Sequence, residues 1–243
     1  VPPLLRRSEH SRVSWLAPID GERGGAWIGG NSHGLMACLI NGYDIIDYVV
    51  ATPDAPRYSR GFLVPELLRH ASMADALDWM MWEVKSSDYL PFSLLLLNGE
   101  SGVRVVETGR GQLEIDALED EWICTSSSSW NKEQVVPWRM KKFQEWLANG
   151  AQFIHELPAF HLMQPAGRAE WAPLMASFDA TTRSITQIAL TPGKCLDMFY
   201  WPNPTPDVKD PGRHVRLALD AALPYSRTAG KARSADHSIW PEP

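Results

Sequence analysis

Cysteine is scarce in this chain of 243 residues. The three cysteines, Cys38, Cys124 and Cys195, lie far apart in the sequence. Their odd number and the absence of a C-x-x-C spacing argue against a disulfide framework and against a zinc site. All three lie in apolar runs, which favours reduced, buried thiols and a cytoplasmic protein.

A basic surplus and a long apolar run are also missing. The net charge is −6, and doublets such as Arg6-Arg7 and Lys141-Lys142 fit a solvated surface, so we expect no nucleic-acid partner. The apolar run Leu94–Leu97 is far shorter than the roughly 18 residues that cross a bilayer, so we expect no membrane span. A hydrophobic share of 44% with 11 Trp is ample for a sizeable core. The sequence does not indicate an oligomeric state.

The stretch "GGAWIGGNSHGLMACLINGY", residues 24–43, predicts a β-hairpin. Glycine and asparagine tolerate a positive φ and therefore suit the turn at 29–34. The returning strand, Leu35 to Ile40, is apolar on both faces, as a strand between two layers would be. It ends at Asn41.

The rest of the chain alternates between strand pairs and helices. We predict a short strand at 13–16, helices over 63–68 and from Ser72 to Val84, and a helix with Pro137 in its first turn and Gly150 at its end. Further strands are predicted at 92–97, 103–107, 122–125, 184–190 and 195–201. This order predicts an α+β layered fold, with one domain at 1–202 and an irregular tail at 203–243.

Three stretches look like catalytic or ligand motifs but lack essential parts. "HELPAFH" at 155–161 spaces its histidines six apart and contains Pro158, so it does not fit a helical zinc protease motif. The glycines of 24–34 have no Gly-Lys-Ser ending and fit a hairpin better than a phosphate cradle. "CTSSSSWN" has no G-x-S-x-G elbow, so a strand-to-helix loop is the favoured interpretation. No metal site is predicted.

Two polar residues have open interpretations. Asn41 before Gly42 presents an amide at a strand end, where an oxyanion donor is useful, although a turn asparagine is the more common case. Arg183 precedes an apolar strand, where it can neutralise a carboxylate or protect an exposed sheet edge.

Five segments, which follow one another along the chain in the family's order, resemble the Asn-Arg-Asp-Glu (NRDE) or transport-and-Golgi-organisation family. The glycine-rich hairpin resembles its Gly-Gly-Thr-Trp-Leu-Gly segment, and "TTRSITQIAL" at 181–190 its Thr-Arg-Ser/Thr-x-Thr strand. The other matching segments are "YSRGFLVPELL" (58–68), "PFSLLLLNG" (91–99) and "CTSSSSWNKEQVVPWRMKKF" (124–143).

The family is similar to N-terminal nucleophile hydrolases, which implies a four-layer αββα sandwich. In such enzymes a terminal cysteine attacks an amide, its own α-amine is the base, and asparagines form the oxyanion hole. The resemblance matches Asn41 to the strand-end asparagine and Arg183 to the late arginine. It places a third asparagine near Ser126 or Ser127, so we name Ser127 as the third candidate. No cofactor is implied.

The resemblance also implies a Met-Cys start and an Asn-Arg-Asp-Glu motif upstream of "VPPLLRR", and neither occurs in this sequence, which begins at Val1. We therefore expect a record truncated at its N-terminus, with processing as the alternative. The expected function is a Cys-dependent amide hydrolase or acylase architecture whose nucleophile is absent from this chain. The alternative is a non-enzymatic carrier of haem or another apolar ligand. The expected partner is accordingly a small amide or an apolar molecule.

Overall fold

The computed structural model of the chain describes residues 1–8, 12–43, 58–107, 111–150, 156–178, 180–208 and 210–220. Its largest element is a seven-stranded antiparallel sheet in which each strand pairs with the next along the chain. The strands are β1 (Leu4–Arg7), β2 (Ser14–Ala17), β3 (Ile28–Asn31), β4 (Met36–Asn41), β5 (Phe92–Leu97), β6 (Gly102–Glu107) and β7 (Leu113–Ala117). The β5–β6 hairpin lies where the sequence predicts it. The β3–β4 hairpin also forms, but its turn is shorter than the predicted 29–34, because Gly29, Gly30 and Asn31 belong to β3.

A smaller antiparallel sheet has three strands. These are β8 (Ser184–Thr191), β9 (Cys195–Pro202) and β10 (Arg213–Ala218), with β9 in the middle. The predicted β8–β9 hairpin is confirmed.

Four α-helices accompany the sheets within the described residues. A 3₁₀ turn at Arg60–Phe62 leads into α1 (Leu63–Leu67), and a second turn at Ser86–Asp88 leads to β5. The remaining helices are α2 (Met73–Glu83), α3 (Lys132–Ala148) and α4 (Leu157–His161). Ser72 caps α2, as predicted, because its hydroxyl accepts the N–H of Asp75 at 3.1 Å.

Side chains of β4 alternate between two hydrophobic clusters. Ala37 and Leu39 point to the face covered by α1 and α2, where Leu63, Leu67 and Met80 are buried. The other face of the large sheet meets the small sheet through Leu16, Leu196, Met198 and Leu217, with Met36 beside them. A mixed α/β architecture with an antiparallel sheet is therefore established, and helix and sheet cover opposite faces of β4.

Two glycines of β3 serve close packing. A Cβ on Gly30 would lie 2.3 Å from Cδ1 of Leu196 in the small sheet, and one on Gly29 would lie 2.8 Å from the carbonyl oxygen of Leu16 in β2. Gly29 and Gly30 therefore serve packing within and between the sheets, whereas Gly34, with a φ of 80°, serves the turn.

Three further sequence predictions are corrected by the structure. Helix α3 begins at Lys132, so Pro137 lies inside it rather than in its first turn. Residues 122–125 form no strand, and Trp122 instead packs against Trp146 with ring centroids 6.1 Å apart. Strand β10, at 213–218, lies within the predicted irregular tail. Its alternation of outward charges with Val215 and Leu217 explains the strand.

The remainder of that predicted tail, after Asp220, lies outside the described residues. The backbone N–H of Asp220 donates to the carbonyl of Ser32 at 2.8 Å, so the chain returns to the β3–β4 turn after β10. In the described part of the chain, no helix is both long enough and apolar enough to cross a membrane.

Candidate functional site

The end of β4 carries a group of polar side chains that we call the strand-end cluster: Asn41, Tyr43, Arg60 and Lys132. Asn41 pairs with Phe92 of β5 and, by alternation with Ala37 and Leu39, faces the helix-covered side. After Asn41 the chain stays close to the residue before β5, because the N–H of Gly42 donates to the carbonyl of Pro91 at 2.8 Å. A Cβ on Gly42 would lie 2.8 Å from the carbonyl carbon of Pro91, so only glycine fits there.

The amide of Asn41 is only half satisfied. Its Nδ2 donates to the Tyr43 hydroxyl at 2.8 Å, while its Oδ1 is buried without a hydrogen-bond partner in the described part of the chain. A tyrosine hydroxyl can both donate and accept, so a half-turn of the amide would keep the Tyr43 bond. The amide would then offer its N–H₂ group to a ligand.

Arg60 reaches the same strand end from the 3₁₀ turn. Its Nη1 donates to the carbonyl of Pro91 at 2.8 Å, and that carbonyl also accepts the N–H of Gly42 at 2.8 Å. Burial lowers the pKa of Arg60, and the neighbouring Tyr43 partly offsets this shift. A cation is therefore held beside Asn41.

Ser127 lies in a second group, around Arg139 of α3. The Arg139 guanidinium donates to the carbonyl of Ser127 at 3.1 Å, to Oγ of Ser126 at 3.3 Å and to the carbonyl of Trp171 at 2.8 Å. Its Nη2 also lies 3.9 Å from the sulfur of Met175. Burial lowers the pKa of Arg139, with an opposing contribution from Cys124. Arg139 thus fixes the segment that contains Ser126 and Ser127, which we call the serine loop, and it does so mainly through the backbone of that loop.

Arg183 lines a cavity of about 360 Å³ at the entrance of β8, together with Ser177, Phe178, Ala180 and Thr181. Its carbonyl accepts the N–H of Asn203 at 2.8 Å. The preceding residue, Thr182, is tied to Met175, because its hydroxyl accepts the Met175 N–H at 2.9 Å.

The structure connects the three candidates through intermediates. Nζ of Lys132, at the start of α3, donates to the Tyr43 carbonyl at 3.3 Å and so joins the serine loop to the strand end. On the other side, Arg139 and Met175 join Ser127 to the segment before Arg183. No direct hydrogen bond among Asn41, Ser127 and Arg183 occurs in the described ranges. Their convergence in one cleft stays a prediction.

Two of the cysteines, Cys38 and Cys124, are weak nucleophiles. Burial raises the pKa of the Cys38 thiol to about 11, although the residue as a whole is only partly covered. Burial also raises the pKa of Cys124, against the effect of Arg139. The Cys195 thiol lies 3.6 Å from Oδ2 of Asp197 and donates to that carboxylate. The described residues hold no group of three or more metal-ligating side chains suited to a metal ion, and His155 lies outside them.

A larger and more apolar cavity, of about 690 Å³, lies between α4 and the outer face of the small sheet. Pro158, Ala159 and Leu162 form its helix side, and Gln187, Ala189, Phe199 and Trp201 its sheet side. Trp201 is 4% exposed, and its indole N–H has no partner among the described residues. No sequence pattern predicted this cavity, because α4 lies in a segment with no clear hydrophobic periodicity.

These features define a mixed α/β protein with a large antiparallel sheet. Strand β4 of that sheet ends at the strand-end cluster, where Gly42 permits the close contact with Pro91. The chain belongs to the Transport and Golgi organisation 2 family, whose model matches residues 5–177. Asn41 and Ser127 lie within the matched part, whereas Arg183 lies beyond it. A search of curated proteins finds no match to this chain.

Sequence reasoning did not select Tyr43, Arg60, Lys132 or Arg139 as site residues. Arg60 belongs to the "YSRGFLVPELL" segment and Lys132 and Arg139 to "CTSSSSWNKEQVVPWRMKKF", both of which resemble family segments. The available signal was the presence of a basic residue inside such a segment and, for Arg60, the glycine that follows it, Gly61.

Proposed function

We propose that this chain forms the oxyanion-binding side of a Cys-dependent amide hydrolase with a four-layer αββα architecture. The family resemblance supplies the reaction class, and contact of the small sheet with the uncovered face of the large sheet supports the layering. The reaction uses no metal and no cofactor.

The half-satisfied amide of Asn41 is the observation that carries this proposal. Its unpaired atom is Oδ1, and a half-turn of the amide that keeps the Tyr43 bond puts the N–H₂ group in that place, which suits an oxyanion donor at a strand end. An ordinary turn asparagine would bond its own backbone two residues ahead. Asn98 does so in this chain, since its Oδ1 accepts the N–H of Glu100 at 2.8 Å.

Ser127 and Arg183 have supporting roles in this proposal. The Ser127 hydroxyl replaces an amide donor of the family, and Arg139 holds the backbone that carries it. Arg183 provides positive charge at the edge of the cleft, and its tie through Thr182 and Met175 to Arg139 supports a common location.

The nucleophile in this proposal is a terminal cysteine, as the resemblance implies. Its α-amine takes the thiol proton, and the thiolate attacks the amide carbon to form an oxyanion held by Asn41. Collapse breaks the C–N bond and transfers the proton to the leaving amine. Water then hydrolyses the thioester. The raised pKa values of Cys38 and Cys124 make them poor substitutes for that cysteine.

The test uses a chain that begins with the cysteine and a panel of chromogenic anilides. Asn41→Ala should lower kcat by about 100-fold, near 3 kcal/mol of barrier, as loss of one oxyanion donor does. Asn98→Ala is the matched control and should leave kcat unchanged. Equal kcat values for Asn41→Ala and the parent protein would refute the role of Asn41.

The cavity under α4 favours a second candidate function, a carrier of an apolar ligand. Its volume, about 690 Å³, is within the range of small-molecule sites, and its lining is mainly apolar. Among the described residues, its lining contains no histidine, cysteine or methionine, so an acyl chain fits it better than haem held through its iron.

Tryptophan quenching by a brominated C16 fatty acid tests this candidate. Ala189→Trp should fill the cavity and abolish saturable quenching, whereas Ala117→Trp on the exposed edge strand β7 should not. Saturable quenching of equal strength in Ala189→Trp would exclude the cavity as the binding site.

A further inference from the structure

Arg60 is partly buried and has few described partners for a covered arginine; Arg104, which has a single described acceptor in Oγ of Ser93 at 2.9 Å, is exposed. Arg216 is bound side-on to Asp197, with Nε–Oδ1 at 2.8 Å and Nη2–Oδ2 at 3.1 Å, and Arg69 is paired with Glu66 at 3.0 Å. Arg139 has four acceptors. Among the described residues, Arg60 donates only to the carbonyl of Pro91 and forms no ion pair.

The backbone holds Arg60 in this position. A Cβ on Gly25 would lie 2.9 Å from the carbonyl carbon of Gly61, and the N–H of Ala26 donates to the Gly61 carbonyl at 2.8 Å. This contact fixes the backbone next to Arg60, and the bond from Nη1 to the Pro91 carbonyl directs its side chain to the strand end. A partly buried cation held without a counterion is costly, and a bound anion would relieve that cost.

The geometry of the free donors selects the kind of anion. Arginine has five N–H donors, and the Pro91 carbonyl occupies one, on Nη1. The edge formed by Nε–H and Nη2–H remains, and its two parallel donors match the two oxygens of a planar carboxylate. The Arg216–Asp197 pair shows the same side-on arrangement within this molecule.

We propose that Arg60 binds the carboxylate of a small ligand beside Asn41. Resting on the function proposed above, this assigns the substrate class: an N-acylated amino acid or another amide that carries a carboxylate near the scissile bond. Asn41 then contacts the amide carbonyl, Arg60 the carboxylate, and the carbonyl of Tyr43 keeps Lys132 at the rim of the site.

Binding without turnover tests this proposal separately from catalysis. Calorimetry at low ionic strength should show N-acetylglycine binding at least tenfold more tightly than its neutral isostere N-acetylglycinamide. Arg60→Gln should remove that difference, whereas Arg104→Gln, the same charge change on the exposed side of β6, should preserve it. Equal affinities for the two ligands in the parent protein would overturn the proposal.

A spectroscopic measurement keeps the test valid if Arg60→Gln fails to fold. In the parent protein labelled with ¹⁵N-arginine, N-acetylglycine should shift one Nε–H signal, and Arg60→Lys should lack that signal. If no arginine signal shifts, or if the shifted signal persists in Arg60→Lys, the assignment is refuted. Inorganic phosphate serves as the second probe. An equal, Arg60-dependent affinity for phosphate would overturn the assignment to carboxylates.

The two proposals fail in different ways. Arg60-dependent binding of N-acetylglycine without any amide hydrolysis would remove the catalytic function and leave the carboxylate site in place. Hydrolysis that prefers neutral amides would remove the carboxylate site and leave the catalytic function.

Discussion

Replacing Asn31 with alanine should cost more stability than any other single polar deletion in the β3–β4 turn. Asn31 is 0% exposed, and its side chain makes four hydrogen bonds to backbone groups. Nδ2 donates to the carbonyls of Leu68 and His70 at 3.0 and 2.8 Å, and Oδ1 accepts the N–H groups of His33 and Leu35 at 2.9 and 3.1 Å. The residue therefore joins the hairpin to the end of α1.

The magnitude follows from these four bonds. A net contribution near 1 kcal/mol for each bond gives a loss of about 4 kcal/mol in the free energy of unfolding, a large part of the stability of an ordinary domain. Guanidinium denaturation followed by tryptophan fluorescence measures it. The matched control is Asn98→Ala, which removes two backbone bonds of 2.8 Å in a solvent-facing turn. Because water can replace those bonds, we expect a loss of about 1 kcal/mol or less. Similar losses for Asn31→Ala and Asn98→Ala would refute the argument that burial sets the cost.

Three further predictions concern the strand end, a partly buried histidine and a thiol. Gly42→Ala should lower the free energy of unfolding by about 2–3 kcal/mol, because its Cβ would lie 2.8 Å from the carbonyl carbon of Pro91. Gly99→Ala, whose Cβ would have no neighbour closer than 3.5 Å, should be neutral. Equal denaturation midpoints for the two variants would contradict this prediction. Burial lowers the pKa of His70 from 6.5, so the unfolded chain binds the proton first as pH falls. The parent protein should therefore lose stability relative to His70→Phe as the pH falls below 6.5, and parallel stability curves would argue against a neutral, partly buried His70. With a pKa of about 11, Cys38 should have roughly one part in a thousand as thiolate at pH 8, so an alkylating reagent should modify it only after unfolding; rapid native labelling, mapped by mass spectrometry, would contradict that pKa.

Local signals were enough to predict much of the fold. Asn98-Gly99 between two apolar runs predicts the β5–β6 hairpin, and Ser72 three residues before Asp75 predicts the start of α2. These signals work because the causes are short-range: turn geometry and the capping of backbone N–H groups.

The errors arise where distant contacts decide the structure. Pro137 is typical of a first helical turn, yet α3 begins five residues earlier at Lys132. Trp122–Thr125 has strand-like composition, but aromatic packing against Trp146 takes its place. Strand β7 is exposed along most of its length, so its sequence shows little hydrophobic pattern.

The candidate site could be predicted only in part, for a similar reason. Asn41 could be predicted as a site residue because a strand-end Asn-Gly pair is a local pattern. Arg60 was not, because its importance depends on its distance to a carbonyl 31 positions away and on the lack of a described counterion. No local pattern distinguishes such an arginine from a solvated one.

Helix α3 gives these separate groups a common support. Lys132 and Arg139 are seven residues apart and therefore lie on the same face of the helix. From that face Lys132 holds the Tyr43 carbonyl and Arg139 holds the serine loop. If the helix couples the two groups, the losses from Lys132→Met and Arg139→Met in N-acetylglycine affinity should be non-additive, because removing either contact frees the same helix. A double-mutant cycle in which the two losses simply add would show that the strand end and the serine loop are positioned independently.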